Sequence, residues 1–220
     1  MTTILLLNPN TSVRSLRMMV GIAAPLLPPG VAVKGISAAC GVAMIVNEAD
    51  LRASAQEVVR LGVEEAPDVA AIVVAAFGDP GIAALRAAVR VPVVGIGEAS
   101  IVEAAAGGRR FGIATTTPGL RRPIESLVER LSFGGCFTGV RVPDGDPLVL
   151  AANTSRQERV LARSVRDCIE LDRAEAVIIG GGPLSAAARA LRHQFSVEII
   201  EPVPAAIRRV ARLLGMAPRP

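Results

Sequence analysis

The sequence predicts an α/β protein of two pseudo-symmetric lobes, each an open parallel sheet flanked by helices, with its site in the cleft between the lobes. Three observations lead there. Short apolar, β-branched runs alternate with longer Ala/Arg/Glu-rich segments of helical period, the pattern of parallel strands and crossover helices. Aromatic residues are nearly absent, with five Phe and no Tyr or Trp among 220 residues. A core of Ala, Val, Ile and Leu is what buried parallel strands and their covering helices use. Finally, the chain repeats itself.

In chain order the strand candidates are Thr3–Leu7, Val31–Ile36, Val69–Ala75, Val91–Gly95, Phe111–Ala114, Thr138–Val142, Ala176–Ile179 and Val197–Ile200. Helical periodicity fills the intervals near 12–26, 47–63, 80–89, 98–106, 118–131, 154–171, 184–192 and 203–214. Eight β/α units result. A closed barrel of eight such units ordinarily takes about 250 residues, so two open sheets fit this length better.

The repeat supports two sheets. Ile4–Thr11 resembles Phe111–Pro118, Val73–Gly78 resembles Ile178–Pro183, and Val91–Gly97 resembles Val197–Val203. The three pairs keep the same order and nearly the same spacing, which indicates duplicated halves. We therefore expect an N-terminal lobe over residues 1–96 and a C-terminal lobe over 97–202. Residues 203–220 form a last helix and tail packing back on the first lobe.

Charge excludes several functions. All but one of the 24 basic residues are arginine, and the net charge is +4. The pairs Arg109-Arg110, Arg121-Arg122 and Arg208-Arg209 are dispersed, with no interleaved aromatics, so a nucleic-acid surface is not expected. The segments around Arg189–Arg192 and Arg208–Pro220 read as solvated faces and a frayed end. No apolar stretch has the length to span a bilayer, and the run Ile4–Leu7 leads into Asn8-Pro9-Asn10 rather than a cleavage site. Three cysteines, at 40, 136 and 168, have neither metal-ligand spacing nor an even number for disulfides. We expect a cytoplasmic protein without metal or cofactor.

If the halves face each other, four loops at strand carboxyl ends line the cleft: Asn8–Ser12, Phe77–Gly81, Thr115–Gly119 and Gly180–Leu184. Each opens a helix, where unpaired N–H groups favour carboxylates and polarised carbonyl oxygens. Asn8, Asn10, Thr11, Thr115 and Thr116 add amide and hydroxyl groups; the simpler alternative is that such residues only cap helices. Neither G-x-x-x-x-G-K-[ST] nor G-x-G-x-x-G occurs in these loops, so nucleotides are not expected ligands.

Asn8-Pro-Asn-Thr-Ser12 after the first strand, Phe77-Gly-Asp-Pro-Gly81 after the third, Pro92–Ala99 and Glu201-Pro-Val203 together resemble the aspartate/glutamate racemase superfamily, nearest its hydantoin and allantoin racemase branch. The resemblance covers the whole chain. It implies a two-lobed fold, cofactor-free proton transfer at a carbon next to a carbonyl, a small carboxylate or cyclic amide as substrate, and a homo-oligomer. It also implies two cysteines, one per lobe, on opposite sides of the substrate. A thiol suits both roles because its ordinary pKa near 8.5 can be tuned to populate either state. Ala76 and Gly181 stand at those positions. Backbone N–H groups of Phe77, Gly78, Gly181 and Gly182, beside Pro183, are left as donors for a developing oxyanion.

Substitute bases are sought in Asp79, which otherwise caps a helix starting at Pro80, and in Cys40, which otherwise is buried and inert. Glu98 and Glu201 hold matching places after the fourth and eighth strands, as caps or as supports of the cleft. His193, the single histidine, reads as a surface residue near a helix end. The expected function is a hydantoin racemase-like enzyme. The alternatives are a lyase, decarboxylase or hydrolase on a related ring or acid, and a non-catalytic small-ligand binder.

Overall fold

The computed structural model describes residues 2–216. Its first sheet comprises β1 (Thr2–Asn8), β2 (Val31–Ser37), β3 (Ala71–Val74) and β4 (Val93–Gly95); the second comprises β5 (Phe111–Ala114), β6 (Phe137–Arg141), β7 (Ala176–Ile179) and β8 (Glu198–Ile200). The orders are β2-β1-β3-β4 and β6-β5-β7-β8, all parallel, so the two halves share one topology. The helices are α1 (Val13–Ala23), α2 (Glu48–Glu65), α3 (Ile82–Ala88), α4 (Ile96–Ala104), α5 (Arg121–Arg130), α6 (Pro147–Ala151), α7 (Thr154–Glu170), α8 (Ser185–Leu191) and α9 (Pro202–Leu213). Among them, no helix of the described residues is long and apolar enough to cross a membrane.

Continuous apolar strands are explained by burial on both faces. Ile4 and Leu6 of β1 join a central core, while Leu5 and Leu7 turn the other way, toward Val58 of α2 and Leu85 of α3. All four strand residues are fully buried, worth about 2 kcal/mol each by transfer from water. The central core runs through both sheets without interruption. It holds Val73 of the first, Ile113 and Ile178 of the second, and Ile101 and Val210 from helices between them.

Those helices are exchanged. α4 follows the first sheet yet packs on β7, β8 and α5 of the second half, whereas α9 follows the second sheet and packs on β3, β4 and α1 of the first. The two pack against each other as the most extensive helix pair among the described residues. The tail expected over residues 217–220 lies outside the described residues.

Close approach of α2 and α3 depends on Gly81. Its φ is 70°, and a Cβ there would stand 2.6 Å from the carbonyl oxygen of Ala55. Only glycine satisfies both constraints. This also corrects the start expected for α3. The helix begins at Ile82 with Gly81 as N-cap, so Pro80 belongs to the preceding turn and Asp79 cannot cap it. The short helix α6 is absent from the sequence expectation, although Asp146 caps it and Pro147 opens it in the ordinary manner.

Candidate active site

A cavity of about 60 Å³ lies between the carboxyl ends of the two sheets. The first lobe contributes Asn10, Ala76 and Phe77; the second contributes Thr115, Thr116, Gly181, Gly182 and Pro183. These eight were expected to contact a ligand. Asn8, Thr11 and Gly78, expected with them, do not line it.

Each exception has a local reason. Asn8 is fully buried behind the loop and donates to Asn10 Oδ1 (2.8 Å), Ser37 Oγ (3.1 Å) and Ser12 O (3.2 Å). It thereby fixes Asn10, which also accepts from Ser12 N–H at 2.9 Å. The Thr11 N–H donates to Val42 O at 3.0 Å, tying the loop to the segment after β2. Gly78, at φ 118°, turns its α-carbon toward Leu51, on the side away from the cavity.

On the second lobe, Thr115 Oγ1 donates to Gly180 O at 2.7 Å and lies 3.0 Å from Thr117 Oγ1. Thr116 is different. The residue lines the cavity, and its hydroxyl is fully buried with no hydrogen-bond partner among the described residues. Leaving a buried hydroxyl unpaired costs on the order of 1–3 kcal/mol, which makes this one a candidate contact for a bound group. Nor do the N–H groups of Phe77, Gly78, Gly181 and Gly182 meet a protein acceptor among the described residues. Thr117, Gly180 and Leu184 of the expected loops also line it, whereas Gln157 and the apolar Met44, Ile45, Leu120 and Ile124 lie outside those loops. Among the described lining residues none is Asp, Glu, His, Cys, Lys or Arg.

Asp79 lies behind the cavity. At φ 52° it turns its carboxylate onto the N-terminus of α4, accepting from Gly97 N–H (2.9 Å) and Glu98 N–H (2.7 Å). It is therefore the cap of α4 rather than of its own helix. Burial pushes its carboxyl up to about 7, against the downward pull of those two N–H donors; the neighbouring Glu98 adds to the rise and Arg86 opposes it. Cys40, expected either as a base in the cleft or as a buried thiol, is exposed in a separate surface pocket with Asp50, Ser54 and Glu57 and does not line the cavity. Cys168 is buried in α7, where burial pushes its thiol up to about 12.

Glu98 and Glu201 prove to occupy different turns. Glu98 is the third residue of α4 and reaches back to Gly95 N–H at 3.4 Å, whereas Glu201 is the N-cap of α9. Both nonetheless face arginines from the preceding helix. Arg86 pairs with Glu98, and Arg189 and Arg192 approach Glu201 at 3.6 and 3.5 Å. Arg208 likewise pairs with Glu103, so neither basic segment is merely solvated. His193 is exposed just beyond α8 and accepts from Arg192 Nε at 3.0 Å.

The family model for Asp/Glu/hydantoin racemase matches residues 4–210. The chain is 27% identical to a hydantoin racemase of Paenarthrobacter aurescens over 217 residues, 97% of this chain and 91% of that protein. It is 34% identical to a hydantoin racemase of Rhizobium meliloti over 151 residues, 69% of this chain and 63% of that protein. Among solved structures, an allantoin racemase from Klebsiella pneumoniae superposes with a TM-score of 0.89 at 27% identity, covering 100% of this chain and 91% of that one.

Proposed function

We propose, from the premise that this chain belongs to the Asp/Glu/hydantoin racemase family, that it is a hydantoin racemase-like enzyme acting next to a carbonyl in a small hydantoin, cyclic amide or amino-acid derivative. The observation that carries this reading is the unpartnered Thr116 hydroxyl in a cavity flanked by free N–H groups of both lobes. Breaking a bond at the carbon next to a carbonyl sends its electron pair onto the carbonyl oxygen. Donors fixed around that oxygen lower the barrier because they need not reorganise as charge develops. The same reading has the enzyme working without a cofactor, as a homo-oligomer in the cytoplasm.

The proton cannot pass between two thiols, since Ala76 and Gly181 stand where the family resemblance places them. Water in the cavity, exchanging with solvent, is the proton carrier in this reading. Asp79 supports the site by holding the start of α4, and Cys40 lies outside it.

One observation favours a second reading, a decarboxylase. No ionisable side chain lines the cavity among the described residues. Loss of carbon dioxide from a carboxylate carried on the carbon next to a carbonyl needs no base. The carbon–carbon bond breaks, its pair moves to the carbonyl oxygen, and water protonates the resulting carbon.

Incubation in heavy water with chiral hydantoins and allantoin tests the first reading, with mass spectrometry and polarimetry as readouts. Deuterium at the α-carbon with loss of rotation is expected. Thr116→Val should slow it about a hundredfold, the cost of one oxyanion donor, while Cys40→Ser matches wild type. Absence of exchange with every ring that binds would sink the racemase reading. Release of carbon dioxide from malonate half-amides would then establish the second, and its absence a binding role.

A further inference from the structure

The cavity has an outer neighbour. A chamber of about 300 Å³ shares Met44, Ala151, Gln157 and Pro183 with the inner cavity, so these four side chains stand between the two spaces. Its outer wall is the beginning of α1 and of α7, with Ser12, Arg14, Ser15 and Thr154. Arg14 is the sole ionisable side chain lining either space among the described residues. It is exposed and takes no part in any ion pair or side-chain hydrogen bond found there.

The hydroxyls near it are occupied locally. Ser12 Oγ accepts from Ser15 N–H at 3.2 Å and sits 2.9 Å from Ser15 Oγ, closing the first turn of α1. The partial positive charge of that helix start adds to the guanidinium. The site thus separates two kinds of recognition. Inside, an unpaired hydroxyl and backbone N–H groups suit a neutral carbonyl, and a charge there would lose its hydration without a counter-charge. Outside, a planar guanidinium on a hydrated rim suits a carboxylate.

We propose that the substrate spans both chambers, its reacting ring carbonyl in the inner one and a side-chain carboxylate in the outer one against Arg14. This deepens the functional reading above and rests on it. It narrows the substrate class from small hydantoins, cyclic amides and amino-acid derivatives in general to those carrying an anionic side chain a few bonds from the reacting carbon. Arg14 is then a specificity-determining residue. It does not touch the reacting atoms.

The hydantoins of glutamic acid and of glutamine are a suitable pair, alike in size and differing in one side-chain charge. Calorimetric titration of the intact protein with each should show the carboxylate ring bound more tightly by roughly fivefold, the size of one partly exposed ion pair. In Arg14→Gln that ratio should fall to about one. Arg17→Gln, which removes an exposed charge from the same helix outside both chambers, should leave the ratio as in wild type, and it controls for loss of net charge. Equal binding of the two rings by wild type, or a ratio untouched by Arg14→Gln, overturns this proposal and leaves the ring-binding reading standing. Binding of neither ring overturns both.

Discussion

The loops after β3 and β7 stand in equivalent places and are held by different chemistry. In the first, Ala76-Phe77-Gly78-Asp79 folds back so that a buried carboxylate accepts two N–H groups from the start of α4. In the second, Gly181-Gly182-Pro183-Leu184 ends on a buried leucine within the apolar cluster of Leu161, Val177 and Ile179. The helix starts differ to match. α4 opens with Ile96-Gly97-Glu98, all carrying N–H groups, whereas α9 opens with Pro202-Val203-Pro204, two of which carry none. Where donors are missing no acceptor is supplied. A duplicated backbone can therefore keep its geometry while its polar and apolar anchors are traded, provided each donor count closes locally.

Exchange of the anchors should break this arrangement most severely. Leu184→Asp buries a carboxylate among aliphatic side chains, and Asp79→Leu strands two N–H groups and places a branched side chain at positive φ. Each should cost about 4 kcal/mol in urea unfolding or prevent soluble folding. Equal stability of either variant and wild type would mean that the anchors are interchangeable.

A smaller effect comes from titration. The Asp79 carboxyl is raised from the ordinary 3.8 to about 7 in the folded protein. Folded protein thus holds this proton where unfolded chain has released it. The stability this gives is fully present below about pH 4 and is lost as pH rises through about 7. Between pH 5 and 8, wild type should lose about 2 kcal/mol more than Asp79→Asn. Parallel pH profiles of the two would show that the carboxylate is ionised throughout. The second loop, anchored by leucine, has no counterpart to this dependence.

The smallest difference lies in the arginine pairs. Arg86 alone pairs with Glu98 and also donates to Val93 O at 3.0 and 2.7 Å, whereas Glu201 has two arginines at longer range. Arg86→Met should cost about 1–2 kcal/mol, but Arg189→Met under about 0.5, because Arg192 remains. Equal losses would indicate that the two arginines at Glu201 act together.

Strand positions were legible because their residues answer to local rules. All eight lie within about two residues of the apolar runs that announce them, as runs buried on both faces should. The facing loops followed from the repeat, and eight of the expected contact residues line the cavity. What local reading missed depends on partners far along the chain. Asp79 finds its acceptor role with residues 18 and 19 positions away, and nothing in Asp-Pro-Gly distinguishes that from capping its own helix. Asn8 looked like a ligand contact since its role as the brace of Asn10 appears only when the loop is folded. Cys40 sits among small apolar residues, a setting typical of burial, yet the turn after β2 leaves it outside. By contrast α6 was written locally, in Asp146-Pro147, and is simply too short for periodicity to reveal.

The exchange of α4 and α9 sets an order on synthesis. When the ribosome has finished the first four strands, the side of β3 and β4 that α9 will cover is still bare, because α9 follows all eight strands in the chain. Meanwhile α4 has emerged before the sheet on which it will rest. Neither half can complete its packing before the other has been made, because each lends a helix to the other's sheet.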